Sequence, residues 1–141
     1  MSRPYPGLVT RAIAFVVDML IVNAIALAVT VGIGLVVSAL DPGKNSIHLP
    51  EVLLTAVGWL VFAGAYLVGF WVLVGHTPGM RLMGIHVTGA HGERVTFGQG
   101  VRRLVGLGLS FLSLGLGFLL ILVDDRRRAL QDRIGGTVVV R

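Results

Sequence analysis

The chain has 141 residues, of which 55% are hydrophobic and only 13% are charged, and its formal net charge is +5. A soluble domain of this size carries about a quarter of its residues as charges, so the composition excludes an ordinary water-soluble protein. The sequence contains no cysteine, which excludes disulfides, thiolate metal sites and thiol nucleophiles. We therefore predict a polytopic integral membrane protein whose main partner is the lipid bilayer.

Three runs of the sequence are nearly free of charge and are long enough to cross a membrane. Residues 12–40 contain Asp18 as their one charged residue, and residues 52–75 and 104–123 contain none. A helix needs about 20 apolar residues to cross a hydrocarbon core of ~30 Å. The sequence therefore predicts one all-α membrane domain over residues 1–141, with two long transmembrane helices and a third apolar helical segment.

The first predicted helix begins near Thr10 and continues to Leu40, and its length exceeds that of the apolar region of a signal peptide. Residues 41–50 read "DPGKNSIHLP", a turn-rich loop with proline and glycine as helix breakers. The second predicted helix covers residues 51–75. Its Trp59, Tyr66 and Trp71 fit anchoring at the membrane interface and helix packing.

Residues 76–103 are more polar and separate the second apolar run from the third. Short apolar stretches on either side of "GAHGER" predict a small hairpin or an extended loop. In the third run, Gly106, Ser110, Ser113 and Gly117 follow one another at spacings of four, three and four. These small residues share one helical face, which suits close packing between helices in a membrane.

The basic residues predict the orientation in the membrane. Arg3 and Arg11 lie near the N-terminus, and Lys44 lies in the first loop. The second loop contains Arg81, Arg94, Arg102 and Arg103, and the tail contains Arg126, Arg127, Arg128, Arg133 and Arg141. The positive-inside rule places the N-terminus and the second loop in the cytoplasm and residues 41–50 outside. The basic tail joins them inside if residues 104–123 bend and return, and lies outside if that segment crosses. The charge and the glycine breaks of the segment favour a bent or re-entrant segment, which we prefer, although its length suits crossing.

One acidic residue lies well inside the first apolar run. Arg11 and Asp18 are seven residues apart, so they share a helical face and are separated by about 10 Å along the axis. Arg11 is close enough to the membrane edge to reach the interface, but Asp18 costs on the order of 3 kcal/mol at that depth. A cation, a bound ion or a proton must compensate it. Asp18 is therefore either a structural ion-pair partner or part of a site that handles a ligand or an ion.

At these residues the chain resembles the RDD family of bacterial membrane proteins, which is named for one arginine and two aspartates. Its first motif corresponds to "RAIAFVVD", which contains Arg11 and Asp18. A second motif corresponds to "TPGMRLMGIHV", residues 77–87, and a third to "QDRIGGTVVV", which contains Asp132. The three motifs occur in the order of the family and cover nearly the whole chain. Met80 and Gln131 depart from the pattern, since the family often has lysine and histidine there.

The resemblance implies a small multi-span protein of the bacterial cytoplasmic (inner) membrane, from a family suggested to transport unidentified ligands. It also implies that Arg11, Asp18 and Asp132 form one charge cluster. We predict that Arg11 lies between the two carboxylates as a shared cation, which requires the tail to lie on the N-terminal side of the membrane. The candidate secondary partners are Arg81, Arg102, Arg103 and Arg133.

The loop motif "TPGMR" allows two interpretations. Thr77, Pro78, Gly79 and Arg81 suit a tight turn that leaves the second helix, which we favour, or an anion site formed by Gly79 and Arg81. His76, His86 and His91 lack supporting carboxylates or thiolates at metal-ligand spacing, so we expect solvated histidines and no metal site.

Two classes of function remain open. The first is a transporter of an ion or small ligand that uses the charge cluster and works as an oligomer, because three short segments cannot easily enclose a pathway. The second is a non-catalytic accessory or assembly subunit of a larger membrane complex. No arrangement of residues supports catalysis, so we expect no enzyme and no cofactor. The basic residues flank apolar segments, so we also expect no nucleic-acid partner.

Overall fold

The computed structural model describes residues 5–41, 43 and 49–141. Arg3, Lys44 and most of the predicted loop 41–50 lie outside the described residues. The elements follow in the order α1 (Leu8–Leu40), α2 (Leu49–Leu73), α3 (Pro78–Leu82), β1 (His86–Gly89), α4 (Phe97–Leu112), α5 (Leu116–Val123), α6 (Leu130–Gly135) and β2 (Thr137–Val140).

Helices α1 and α2 are the two long apolar helices that the sequence predicts. Both are long and apolar enough to cross a membrane, with 33 residues in α1 and 25 in α2. α1 begins two residues before the predicted start, and Gly7, with no side chain to cap it, occupies the N-cap position instead of Thr10. A long apolar segment supports the helix without a cap, because its backbone groups must be satisfied internally in lipid.

The third apolar segment is bent, as one of the two predicted alternatives requires. α4 and α5 meet at an angle of 106°. The break lies at Leu114 and Gly115, whose φ angles of 54° and 86° are left-handed. α4 begins at Phe97, before the apolar run, because Thr96 and Gln99 form a capping box there. The eight residues of α5 are about 12 Å long, well short of a hydrocarbon core.

The polar region between α2 and α4 contains the short helix α3 and one strand, and the strand pairs with a distant part of the chain. β1 is antiparallel to β2 near the C-terminus, with His86 opposite Val140 and Gly89 opposite Thr137. The residues after β1 form a tight turn, in which the amide of Gly89 donates to the carbonyl of Glu93 over 2.8 Å. The extended strand therefore belongs to a two-stranded sheet that fixes the tail against the second loop.

The buried core lies at one end of α1. Ala14, Trp71, Leu107 and Val139 are all buried in it, and they come from four different elements. The remainder of α1 beyond Val22, and the first half of α2, expose most of their apolar side chains. Lipid suits such a surface, because hydrocarbon is as apolar as the side chains themselves. The fold thus gathers its buried charged residues, Asp18, Arg103 and Asp132, at the packed end.

Candidate functional site

Asp132 is the centre of a buried cluster of charges. Its side chain is fully buried and forms ion pairs with two arginines, Arg11 through Oδ2 and Arg103 through Oδ1. The backbone amide of Ala129 also donates to Oδ2, over 3.0 Å. One carboxylate therefore pairs with two guanidinium groups, which come from α1 and α4 and are far apart in the sequence.

The two arginines make further contacts that fix their positions. Nη2 of Arg11 donates to the carbonyl of Arg127 over 2.7 Å, and Nη1 of Arg103 donates to the hydroxyl of Thr137 over 2.9 Å. The guanidinium of Arg103 also lies over the ring of Trp71, with its carbon 4.8 Å from the ring centroid, a favourable cation–π geometry. These contacts hold residues 127–137 at the N-terminal end of α1.

Asp18 lies in a separate site of uncharged donors. Its side chain is 1% exposed and accepts hydrogen bonds from the hydroxyl of Thr77 and the amide of Gly79 over 2.8 Å. The hydroxyl of Tyr66 donates to Oδ1 over 3.2 Å. The loop motif therefore turns the chain into α3, with Thr77 as its N-cap, as the favoured interpretation predicts. Its Gly79 amide donates to the Asp18 side chain, and Arg81 does not take part.

The prediction that Arg11 lies between Asp18 and Asp132 is wrong in one part, its contact with Asp18. Among the described residues, Arg11 pairs with Asp132 and not with Asp18. The reason is the spacing along α1, where two turns separate the residues by about 10 Å, while α3 brings its donors directly to Asp18. The second cation of the cluster is Arg103, which the sequence indicated as a secondary partner.

The other candidate partners lie outside this cluster. Arg81 and Arg102 are exposed, and the Nε of Arg102 donates to the carbonyl of Gly98 over 3.2 Å. Arg133 forms an ion pair of 2.6 Å with Asp124. None of the three contacts Asp18 or Asp132 through a side-chain hydrogen bond within the part of the chain that the structure describes.

Asp124 organises the connection between α5 and α6. Arg128 donates to its Oδ2 through Nε over 3.2 Å and through its backbone amide over 3.0 Å. The hydrogen bond from the Arg128 side chain, with further ones from its amide and from Arg133, holds the pKa of Asp124 well below its ordinary value. This carboxylate therefore helps to turn the chain so that Asp132 returns towards α1.

We predict that Asp124→Asn lowers the stability at pH 7 by about 1 kcal/mol, because partly exposed ion pairs contribute little. A depressed pKa stabilises the fold above the unfolded-state value near 4, and this contribution is lost as the pH falls through the folded-state pKa. Thermal unfolding at several pH values should show the variant and the parent protein converging in acid. The neighbouring exposed Asp125→Asn is the control, and a gap that is independent of pH would contradict this role for Asp124.

The small residues of the third segment do not share one helical face as predicted, because the bend places Gly106 and Ser110 on α4 and Gly117 on α5. A side chain at Gly106 would meet the Cα of Gln131 at 2.6 Å, and one at Gly117 would meet the Oγ of Ser110 at 2.3 Å. The Ser110 hydroxyl lies 2.9 Å from the carbonyl of Gly106 and 3.2 Å from Oε1 of Gln131. The small residues thus let α6 approach α4 and let α5 fold back across the bend.

Gly106→Ala should destabilise the protein by about 1–3 kcal/mol, because the added methyl group collides with the backbone of α6. Gly108 lies on the same helix, and a methyl group added there meets nothing within 4 Å. Gly108→Ala should therefore leave the midpoint of thermal unfolding in detergent unchanged or higher. Equal midpoints for the two variants would show that the contact between α4 and α6 is not this close.

A cavity of about 330 Å³ lies beside the charged residues. Arg11, Asp18 and Arg103 line it, together with Gln131. The rest of its lining is apolar and includes Phe15, Leu67, Leu107 and Ile121. A mostly apolar cavity with a few convergent polar groups has the character of a small-molecule site.

Three residues of this site were not identified as such from the sequence. The sequence pattern predicts anchoring and packing roles for Tyr66 and Trp71 and assigns no role to Thr137. A buried tyrosine or tryptophan usually finds a hydrogen-bond partner, which was the available signal for Tyr66. The sequence offered no comparable signal for Thr137, because its contact with Arg103 depends on the position of β2.

His76, His86 and His91 do not line the cavity. His86 and His91 are exposed and His76 is half-buried. No group of three or more potential metal ligands is close enough to hold a metal ion in residues 5–41, 43 and 49–141.

Comparisons with known proteins agree with the motifs at Arg11, Thr77 and Asp132. Searches of curated proteins and of solved structures gave no significant match. The model of the RDD family matches residues 5–136, nearly the whole chain. The match includes Arg11, Arg103 and Asp132 of the charge cluster and both long apolar helices, so the chain belongs to the RDD family of membrane proteins.

Proposed function

We propose that the protein takes part in the membrane transport of an ion or small ligand, which engages the cavity beside the charge cluster. The observation that carries this proposal is the cavity of about 330 Å³ lined by Arg11, Asp18 and Arg103. Buried charges in a membrane protein are costly and commonly mark a substrate or ion pathway. The role is one of binding and translocation, without catalysis.

We further propose that the protein works as an oligomer in the bacterial inner membrane, with its N-terminus in the cytoplasm. The outer parts of α1 and α2 are exposed, so one chain cannot enclose a pathway across the whole bilayer. The contacts of Arg11 with Asp132 and Arg127 hold the basic tail beside the N-terminal end of α1. The positive-inside rule places an end so rich in arginine in the cytoplasm.

The hydrogen bonds and ion pairs of Asp18 and Asp132 favour a second function, that of an accessory subunit. Asp18 has three donors, and Asp132 has two arginines and a backbone amide. Carboxylates that are satisfied within the chain suit a structural role. An accessory subunit of a larger membrane complex would use the exposed apolar helices to contact its partner.

Charge movement in reconstituted liposomes tests the transport proposal. We test two small cations, sodium and potassium, and one small organic anion, hexanoate. We expect a pulse of at least one of these ions to give a transient current with the purified protein that empty liposomes lack. Asp18→Asn should abolish the current while the protein remains folded, and Asp41→Asn, at the exposed far end of α1, should retain it. The absence of a protein-dependent current with all three ions would contradict transport.

Purification from native membranes without overexpression separates the two functions. A homo-oligomer supports transport, whereas a stoichiometric complex with a larger membrane protein supports the accessory role. The result is independent of the flux assay, since it depends on the mass and composition of the purified particle.

A further inference from the structure

Three buried hydrogen-bond donors of the charge cluster have no partner among the described residues. They are Nε of Arg11, Nε1 of Trp71 and Nε of Arg103. The residues that carry them all line the same cavity. Buried donors in native proteins are nearly always satisfied, and each unpaired donor costs more when its surroundings are apolar. Three such groups around one cavity indicate a ligand that supplies acceptor atoms.

The charges of the cluster indicate that this ligand is an anion. Arg11 and Arg103 carry two positive charges, and Asp132 supplies one negative charge between them. Asp18 also lines the cavity, but within the described residues it pairs with neither arginine, and its oxygens accept from the uncharged donors Thr77, Gly79 and Tyr66. A single negative charge beside the two arginines balances the trio. A second would be opposed by the nearby carboxylates, which disfavours a dianion.

The walls of the cavity indicate that the ligand also has an apolar body. Phe15, Leu67, Leu107 and Ile121 form much of the lining, and Leu67 and Ile121 are almost fully buried. Val16 and Phe111 also line the cavity, yet they are 56% and 53% exposed. The cavity therefore reaches the apolar outer surface of the helices, where a molecule dissolved in the bilayer can enter.

From these features we infer that the cavity binds an amphipathic monocarboxylate, whose carboxylate accepts hydrogen bonds from Arg11, Trp71 and Arg103 and whose apolar body lies against the cavity wall. A carboxylate suits the site because its two oxygens provide about four acceptor positions and one negative charge. A cation does not suit it, because the three unpartnered groups are all donors. This inference rests on the proposed function and names the class of its ligand.

Octanoate is a suitable probe, and the two tryptophans of the chain provide a matched pair of variants. The full-length protein is placed in phosphatidylcholine nanodiscs, and its unfolding temperature is measured by the loss of helical circular dichroism as octanoate is added. Ligand that binds the folded state raises this temperature in a saturable manner. Octanol and octylammonium have the same chain length but lack the negative charge, and inorganic phosphate lacks the apolar body.

We expect octanoate to stabilise the parent protein more strongly than the three other compounds do. Trp71→Phe keeps an aromatic ring beneath Arg103 but removes one donor, so octanoate should bind about tenfold more weakly, as expected for the loss of one charge-assisted hydrogen bond. Trp59→Phe makes the same change elsewhere in α2 and should bind octanoate like the parent. In that variant Trp71 is the one remaining tryptophan, and its fluorescence should change saturably with octanoate.

Arg11→Lys is the second variant if Trp71→Phe does not fold. It keeps the charge that faces Asp132 but lacks the Nε donor, so it should also weaken octanoate binding. Equal stabilisation by octanol and octanoate, or unchanged binding in both Trp71→Phe and Arg11→Lys, would overturn the inference. The inference would also be overturned if acidic phospholipid in the nanodisc raised the unfolding temperature and octanoate did not. That result would favour a lipid phosphodiester as the ligand. The binding assay does not measure flux. A negative result in it would therefore overturn this inference but not the transport proposal, which the current measurement tests separately.

Discussion

Asp132→Asn is expected to destabilise the protein by about 3–5 kcal/mol, enough to remove most of the stability of a small domain. The substitution leaves the largely buried Arg11 and the buried Arg103 without the carboxylate that pairs with both. Breaking a buried pair by removing one partner is costly because the remaining charge is uncompensated, and two charges remain in this case. Purified yield and thermal unfolding in a mild detergent both measure the effect.

Asp125→Asn is the matched control, since it makes the same chemical change at an exposed residue of the same segment. It should shift the stability by no more than about 0.5 kcal/mol. A folded Asp132→Asn protein with the unfolding midpoint of the control would show that the two arginines do not depend on this carboxylate.

Gly79→Ala is expected to separate α3 from α1 and to destabilise the protein by about 3 kcal/mol, at the upper end of the usual cost of overpacking. A methyl group at Gly79 would lie 2.1 Å from the carbonyl oxygen of Ala14 and 2.9 Å from the side-chain carboxyl carbon of Asp18. Backbone must move to relieve the first collision. The movement also lengthens the hydrogen bond from the Gly79 amide, which leaves a buried carboxylate less satisfied.

The control for this variant is Gly69→Ala in α2, where a new methyl group meets nothing within 4 Å. Alanine favours a helix over glycine, so this control should be at least as stable as the parent. The unfolding midpoint of each variant in detergent gives the comparison. A Gly79→Ala protein as stable as Gly69→Ala would mean that α3 does not approach α1 so closely.

The long helices and the bend were accessible from the sequence because they depend on local properties of the chain. The uncharged runs predicted α1 and α2 to within a few residues at each end, since the length of an apolar segment determines whether it can cross a membrane. The glycines of the third run and the arginines that follow it indicated a bent segment. The break at Leu114 and Gly115 forms that bend.

The pairing of distant residues was less accessible, because charge and hydropathy patterns do not state which residues meet. Motifs identified Arg11 and Asp132, and their contact agrees with the expected return of the tail. Several arginines were equal candidates as secondary partners, and burial against Trp71 and Thr137 distinguishes Arg103. The pairing of β1 with β2 was likewise missed, since alternation within a segment predicts a strand but not its partner.

The separation of the two carboxylates was missed for a related reason. Asp18 looked like a charge that needed a cation, whereas three uncharged donors satisfy it. A short sequence motif can mark a backbone turn without revealing that the turn supplies hydrogen bonds to a residue about 60 positions earlier.

Double-mutant cycles at position 11 test most directly whether Asp132, and not Asp18, is the partner of Arg11. One cycle combines Arg11→Met with Asp132→Asn, and the second combines Arg11→Met with Asp18→Asn, with unfolding free energies measured in the same detergent. Contacting residues typically couple by about 0.5–3 kcal/mol, and independent sites add within about 0.5 kcal/mol. We expect clear coupling in the first cycle and near-additivity in the second. Additivity between positions 11 and 132, with coupling between 11 and 18, would contradict this pairing.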